Sequence, residues 1–174
     1  MSITLTETPT TVEWWTADPT RTTVEFEVDH FWGLHTVHGR FRRFDGVYVA
    51  GTSGPEIELT IDAASVDTGN AARDRHLRSA EFLDVGEHPQ LRFTSTHVTG
   101  LGNGKVRVSG ELDVAGTSVP LAFDASVRMI GAELELEAMT TIDQRSFGMK
   151  QGPLRNIRPV TTLHVKAHLV RQPE

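Results

Sequence analysis

The chain has 174 residues and a formal charge of −6, from 17 Lys and Arg against 23 Asp and Glu. It contains no cysteine, which excludes disulfides, thiol nucleophiles and Cys-based zinc or iron–sulfur sites. The acidic balance offers no general attraction to nucleic acid or anionic membrane, and the length is that of one ordinary domain, which buries roughly 70% of its unfolded surface.

Residues 1–11 are rich in Thr and Pro, have no apolar period and read as a flexible N-terminal tail. Residues 12–174 then form a single domain. The opening MSITLTETPTTVEWW has neither the basic start nor the apolar stretch of a secretory signal. No apolar run approaches the ~18–20 residues that span a bilayer. The expectation is a cytoplasmic protein without stable membrane insertion.

From Val24 the pattern has period two. Val24, Phe26 and Val28 alternate with Glu25, Glu27 and Asp29, and a second strand runs from Val37 to Phe44 through Phe41. Within it, Arg40, Arg42 and Arg43 read as a solvated face. Ile57, Leu59 and Ile61 alternate with Glu56, Glu58, Thr60 and Asp62. Each such stripe puts one face in an apolar core and the other in water.

Asn70 is a natural cap for a short helix running from about Ala71 to Phe82, near residues 70–83. Its Leu77 and Phe82 are placed to plug an end of the fold. Gly86 and Pro89 return the chain to a strand from Leu91 to Val98 that carries Phe93. Asn103-Gly104 is a type I′ hairpin signal, followed by Val106 and Val108. Leu112 and Val114 continue that strand past Gly110, which marks a bulge or a bend. Gly116 and Pro120 bracket the next turn, before Leu121, Phe123, Ala125 and Val127. Two long stripes close the sequence: Leu134, Leu136 and Ala138 among glutamates, then Leu163, Val165, Ala167 and Leu169.

About eight strands and one helix predict an all-β protein, and a closed eight-stranded antiparallel barrel fits better than a sandwich. Every clear strand has one apolar and one strongly polar face, and closure removes the edges that such long strands offer for aggregation. Strand period alone does not decide whether the interior is filled or open.

Motifs for chemistry are sparse. GTSG at 51–54 and GTSV at 116–119 miss the nucleophile-elbow pattern and sit where turns belong. GLGNGK at 100–105 lacks phosphate-loop spacing and reads as a hairpin turn. His164 and His168 lie about 13 Å apart along a strand, too far to share an ion, so no metal or other cofactor is expected. Four polar groups stand out: His30 beside Phe31-Trp32, Asp74 and His76 within RDRHLRS, and Arg145 beside Phe147. Each can serve a ligand head group, and Asp74, His76 or His30 can act as an acid or base. Structural capping or pairing is the competing explanation for each.

Four segments together resemble the YceI-like family of lipocalin-like, polyisoprenoid-binding proteins. They are HFWGLHTVHGRF (30–41), IDAASVDTGNAARDRHLRSAEFLDVGEHPQLRF (61–93), GELDVAGTSVPL (110–121) and RSFG (145–148). The resemblance covers about residues 13–171. It implies a lipocalin-like barrel holding an amphiphilic lipid with an isoprenoid tail, a polyprenyl or an isoprenoid quinone, in an apolar channel. It implies no catalytic set, and it suggests a homodimer. Many relatives are periplasmic, and this chain shows no signal. The expected wall is the inward stripes: Val24, Phe26, Val28 and Phe41; Ile57, Leu59 and Ile61; Leu77 and Phe82; Leu91 and Phe93; Leu112 and Val114; Leu121 and Phe123; Leu134 and Leu136; and Phe147. Three readings stay open at this point. They are a lipid carrier, an enzyme acting on a lipid-like substrate in the same pocket, and a side-chain-filled barrel acting through its surface.

Overall fold

A computed structural model describes residues 12–30, 35–149 and 157–173, without the side chains of His30 and residues 157–159. The segment read as a tail, residues 1–11, lies outside the described residues. Eleven strand segments are described: β1 (Glu13–Ala17), β2 (Thr23–His30), β3 (His35–Phe41), β4 (Phe44–Gly51), β5 (Gly54–Asp62), β6 (Val66–Asp67), β7 (Gln90–Gly102), β8 (Lys105–Val114), β9 (Thr117–Ile130), β10 (Glu133–Asp143) and β11 (Ile157–Arg171). One helix, α1 (Ala71–Arg78), follows β6.

The segments reduce to eight strands. β2 pairs with Thr161–Lys166 of β11 and β1 with Leu169–Arg171 of the same strand. β3 pairs with β2, and β4 with β1. β6 pairs with β3, and β5 with β4. Thus β1–β2, β3–β4 and β5–β6 are three strands, each interrupted once. The remaining pairings run antiparallel through β5, β7, β8, β9, β10 and β11, and the β1–β11 pairing closes the ring. The result is a closed eight-stranded antiparallel barrel of up-and-down order, as the stripes predict.

The interruptions were not visible as period breaks. Between β1 and β2, Asp18 takes hydrogen bonds from Thr20 N and Oγ1 and from Arg21 Nε. These bonds hold the Asp18 carboxyl down at about 2. Arg21 then reaches Glu133 with two bonds, 2.6 and 2.8 Å, and ties this kink to the β9–β10 turn. Between β5 and β6, a 3-10 turn at Ala63–Ser65 is capped by Asp62, which accepts from Ala64 N.

Two expectations need correction in their boundaries. The helix ends at Arg78, short of Phe82. The Ser79 hydroxyl donates to His76 O at 2.7 Å and its backbone turns extended, a serine diverting the chain from helix. Leu83 is drawn back into the core, its N–H donating to Leu77 O. Pro120 also does not bracket a turn. The turn is Ala115-Gly116, both at positive φ, and Pro120 stands inside β9 opposite Glu111. It is tolerated because the β9–β10 pairing runs only from Ala125–Ile130 to Glu133–Ala138, leaving the N–H side of Pro120 without a ladder partner. Above that point the strands part, and a 3-10 turn at Gln144–Phe147 packs against β9 and β11 with Phe147 buried.

Gly110 stands in an unbroken β8, and the bulge lies opposite it, between Ser95 and His97 of β7. A Cβ at Gly110 would meet the Phe93 ring at 2.7 Å and Thr94 O at 2.3 Å. Gly39, opposite Phe26 in the ladder, is likewise roofed by a ring, 2.2 Å from where its Cβ would be. The two glycines let Phe26 and Phe93 lie down on neighbouring backbone. Each ring then meets a second, Phe41 at 5.5 Å and Phe123 at 5.4 Å between centroids.

Candidate functional site: a blind apolar pocket

Antiparallel order puts α1, the β8–β9 turn and the Gln144–Phe147 turn at one end of the barrel. The β4–β5, β7–β8 and β9–β10 turns lie at the other. A cavity of about 290 Å³ opens at the α1 end. Its walls are the inward stripes of the strands. Val24, Phe26, Val28 and Phe41 line one side, and Ile57, Leu59, Ile61, Leu91 and Phe93 another. Leu112, Val114, Leu121, Phe123 and Leu136 complete the circuit, with Leu77 and Phe82 above.

Two of the expected wall residues stand elsewhere. Leu134 lies in the plug beneath the cavity and Phe147 in the turn packed against β9 and β11; both are buried, and neither borders the cavity. Val37, Tyr48, Val66, Leu83, Ile142 and Met149 also border the cavity, as does the stripe Leu163–Leu169, none of them in the expected wall. The stripe was legible. Tyr48 was not, because β4, with FDGVYVAG, has no clean alternation.

The cavity has a floor. Trp15, Val106, Val108, Ala125, Val127 and Leu134 occupy the same inward phase of their strands as the wall residues, one level deeper. All are buried, with Val108 at 0% and Leu134 at 2% exposure, and none borders the cavity. Tyr48, opposite Trp15 in the ladder, borders the cavity at this level. Burial, then the Glu13 carboxylate, pushes its phenol up to about 12. At the rim below, Arg171 pairs with Glu13 at 2.8 Å.

Apart from Tyr48 at the floor and the exposed Glu25 and Glu58, the polar residues on the lining stand at the open end. Arg73 and His76 of α1 border the cavity, as do Thr140, Gln144 and Thr161. Gln144 Nε2 donates to Thr161 Oγ1 at 2.7 Å. The His76 ring stands edge-on to Phe82 with centroids 4.8 Å apart, and its Nε2 is 3.8 Å from Glu81.

The RDRHLRS cluster holds the helix in place. Asp74, buried, accepts from Thr68 N at 2.9 Å and Thr68 Oγ1 at 2.5 Å. Arg73 donates to Thr68 Oγ1 and O, and Arg78 to Ala64 O and Val66 O, all at 2.8–2.9 Å. Asn70 accepts from Arg73 N, the expected cap. The segment is a clamp that straps α1 across the mouth. Asp74 faces the clamp and does not border the cavity. Arg145 lies outside too, exposed and bound to Asp143, whose carboxyl it holds below the ordinary range. The side chain of His30 is outside the described residues.

The outer face carries charge ladders. His164 stands between Glu137, at 2.8 Å, and Glu25. Glu135, 4% exposed, is covered by Arg128, Lys166 and His168. Burial pushes its carboxyl up, and the Arg128 hydrogen bond with the attraction of Arg128, Lys166 and His168 more than offsets this, leaving it lowered. Among the described residues no group of three or more His, Asp or Glu is arranged to hold a metal ion, and no helix is long and apolar enough to cross a membrane.

Comparison with known proteins gives the barrel its lineage. A family profile described as YceI-like domain matches residues 15–169. The chain belongs to the YceI-like family. A UPF0312 protein of Pectobacterium atrosepticum is 40% identical over 107 residues, 60% of this chain and 55% of that one. A UPF0312 protein of Pseudomonas putida is 33% identical over 139 residues, 75% of this chain and 71% of that relative. The match thus spans about half the length of the Pectobacterium relative. Among solved structures, BcnA of Burkholderia cenocepacia superposes with a TM-score of 0.80 at 18% identity, covering 87% of this chain and 98% of BcnA. A polyisoprenoid binding domain from Saccharophagus degradans gives 0.76 at 20% identity, covering 91% and 98%. Both structures share the barrel fold.

Proposed function

We propose that this YceI-like barrel binds, and thereby carries or stores, an amphiphilic isoprenoid-type lipid, a polyprenyl or an isoprenoid quinone, without transforming it. The observation that carries the reading is the polarity of the pocket. Its depth is walled almost wholly by Val, Leu, Ile and Phe, with the Tyr48 phenol at the floor, and Arg73, His76 and Gln144 stand at the mouth. That distribution matches a molecule with a greasy tail and a polar head. Burial of the tail supplies the affinity, at about 0.8 kcal/mol per methylene, offset by the cost of association. The Saccharophagus neighbour, described as polyisoprenoid binding, is consistent with this chemistry. Asp74 and Arg145 are engaged by Thr68 and Asp143, which favours binding over acid–base catalysis.

A cytoplasmic homodimer is part of the same proposal, tested by fractionation and by light scattering after size exclusion. The binding itself is tested by extracting the purified protein with organic solvent and analysing the extract by mass spectrometry. A stoichiometric isoprenoid is the expected result. Protein that carries none, and takes up none when incubated with an isoprenoid quinone, contradicts the proposal.

A further inference from the structure

Resting on the binding function proposed above, we infer that the floor of the pocket gauges tail length. The site accepts a short isoprenoid tail, and Trp15 with Leu134 sets where that tail must stop. The inference starts from a volume. An engineered apolar cavity of about 150 Å³ holds one benzene. The cavity here is about 290 Å³, roughly twice that, so it houses an apolar tail of on the order of a dozen carbons, two to three isoprene units.

The second observation is that the pocket is blind. On β8 the stripe Val114, Leu112 borders the cavity, and its continuation Val108, Val106 is solid. On β9 Leu121 and Phe123 border it, and Ala125 and Val127 do not. On β10 Leu136 borders it and Leu134 does not. On β8, β9 and β10 each stripe thus passes from wall to plug, and Trp15 adds to the plug from β1, while Tyr48, Ile57 and Leu169 border the cavity beside it. At the barrel's lower rim, beside Trp15, Glu13 pairs with Arg171. A tail therefore enters from the α1 end and stops at the plug. Its head group rests beside Arg73 and His76, and any tail beyond the pocket's depth stays outside.

Affinity should then rise with tail length and level off. Each isoprene unit added inside the pocket tightens binding by at least about tenfold, given what a buried methylene contributes. Units beyond the floor change it by less than about twofold.

The test titrates the intact protein with geraniol, farnesol, geranylgeraniol and solanesol, one head group on tails of increasing length. Binding is read from intrinsic tryptophan fluorescence and from thermal shift. The expected result is a steep gain from geraniol to farnesol and a plateau after it. Ala167 borders the cavity opposite Leu136, so Ala167→Phe should move the plateau to geraniol. Trp15→Ala should move it to geranylgeraniol, and Leu134→Ala makes the same change with a smaller deletion should the Trp15 variant not fold. Affinity that keeps rising through solanesol overturns the gauge while leaving the binding function intact, as does a plateau that none of the folded variants moves. No response to any of the alcohols contradicts the binding function itself and the gauge with it.

Discussion

Tyr48 is the chain's single tyrosine, so its ionisation can be read without deconvolution. Burial at the pocket floor and the nearby Glu13 carboxylate favour the neutral phenol, raising its ionisation from 10.0 to about 12. Because the folded value lies above the unfolded one, its contribution to stability is complete below pH 10 and is lost as pH rises through 12. An absorbance titration near the phenolate band should show one transition near pH 12, followed by loss of the fold. A transition near 10 in the folded protein would place Tyr48 in water. Asp18 works in the opposite sense. Its carboxyl is held at about 2 against an ordinary 3.8, so its contribution is present above pH 3.8 and fades as pH falls toward 2.

At the scale of elements, α1 shows how a cluster rich in acid–base groups can be structural. Asp74 spends its carboxylate on Thr68, and Arg73 and Arg78 bind carbonyls of the segment that precedes the helix. Asp74→Ala leaves the Thr68 N–H without its acceptor. The substitution should cost about 1–3 kcal/mol, at about 2–4 °C of Tm per kcal/mol for a chain of this size. Calorimetry showing an unchanged Tm would mean that the clamp does not hold the helix. The cap at Asn70 was legible from residue type, and so were the stripes of β2, β5, β10 and β11, because alternation in a half-buried strand is dictated by the pleat. The helix end, the kinks at 18–22 and 63–65 and the place of Tyr48 were not. Each depends on a side chain capturing a backbone group or on a partner strand distant in sequence. The same holds for the candidates in RDRHLRS: residue type marked all of them as polar, and only packing separates Asp74, turned into the clamp, from His76, turned toward the pocket.

For the whole molecule, the open question from sequence was whether the barrel is filled. The structure divides it: the part beneath α1 is hollow, and Trp15, Val106, Val108 and Leu134 pack the opposite end, with Tyr48 and Leu169 bordering the cavity beside them. A closed barrel tolerates this division because its ladder is continuous around the lower level, where β9 pairs with β10 and β1 with β11. The packed half can hold the fold while the hollow half accepts a ligand. Leu136 sits at the boundary, bordering the cavity just above Leu134. A tryptophan there has space to occupy, whereas the same change in a filled core typically costs 1–3 kcal/mol through overpacking.

The most direct test of the proposed lipid binding in the hollow barrel is therefore the Tm of wild type and Leu136→Trp, each measured with and without an isoprenoid quinone. Binding to the folded state at a hundredfold excess over Kd adds about 2.7 kcal/mol, a rise of roughly 5–10 °C for a protein of this length. The account predicts that rise for wild type, and a Leu136→Trp protein that melts close to apo wild type and no longer responds. A wild type whose Tm no isoprenoid moves, together with a Leu136→Trp variant that melts far lower, would contradict it.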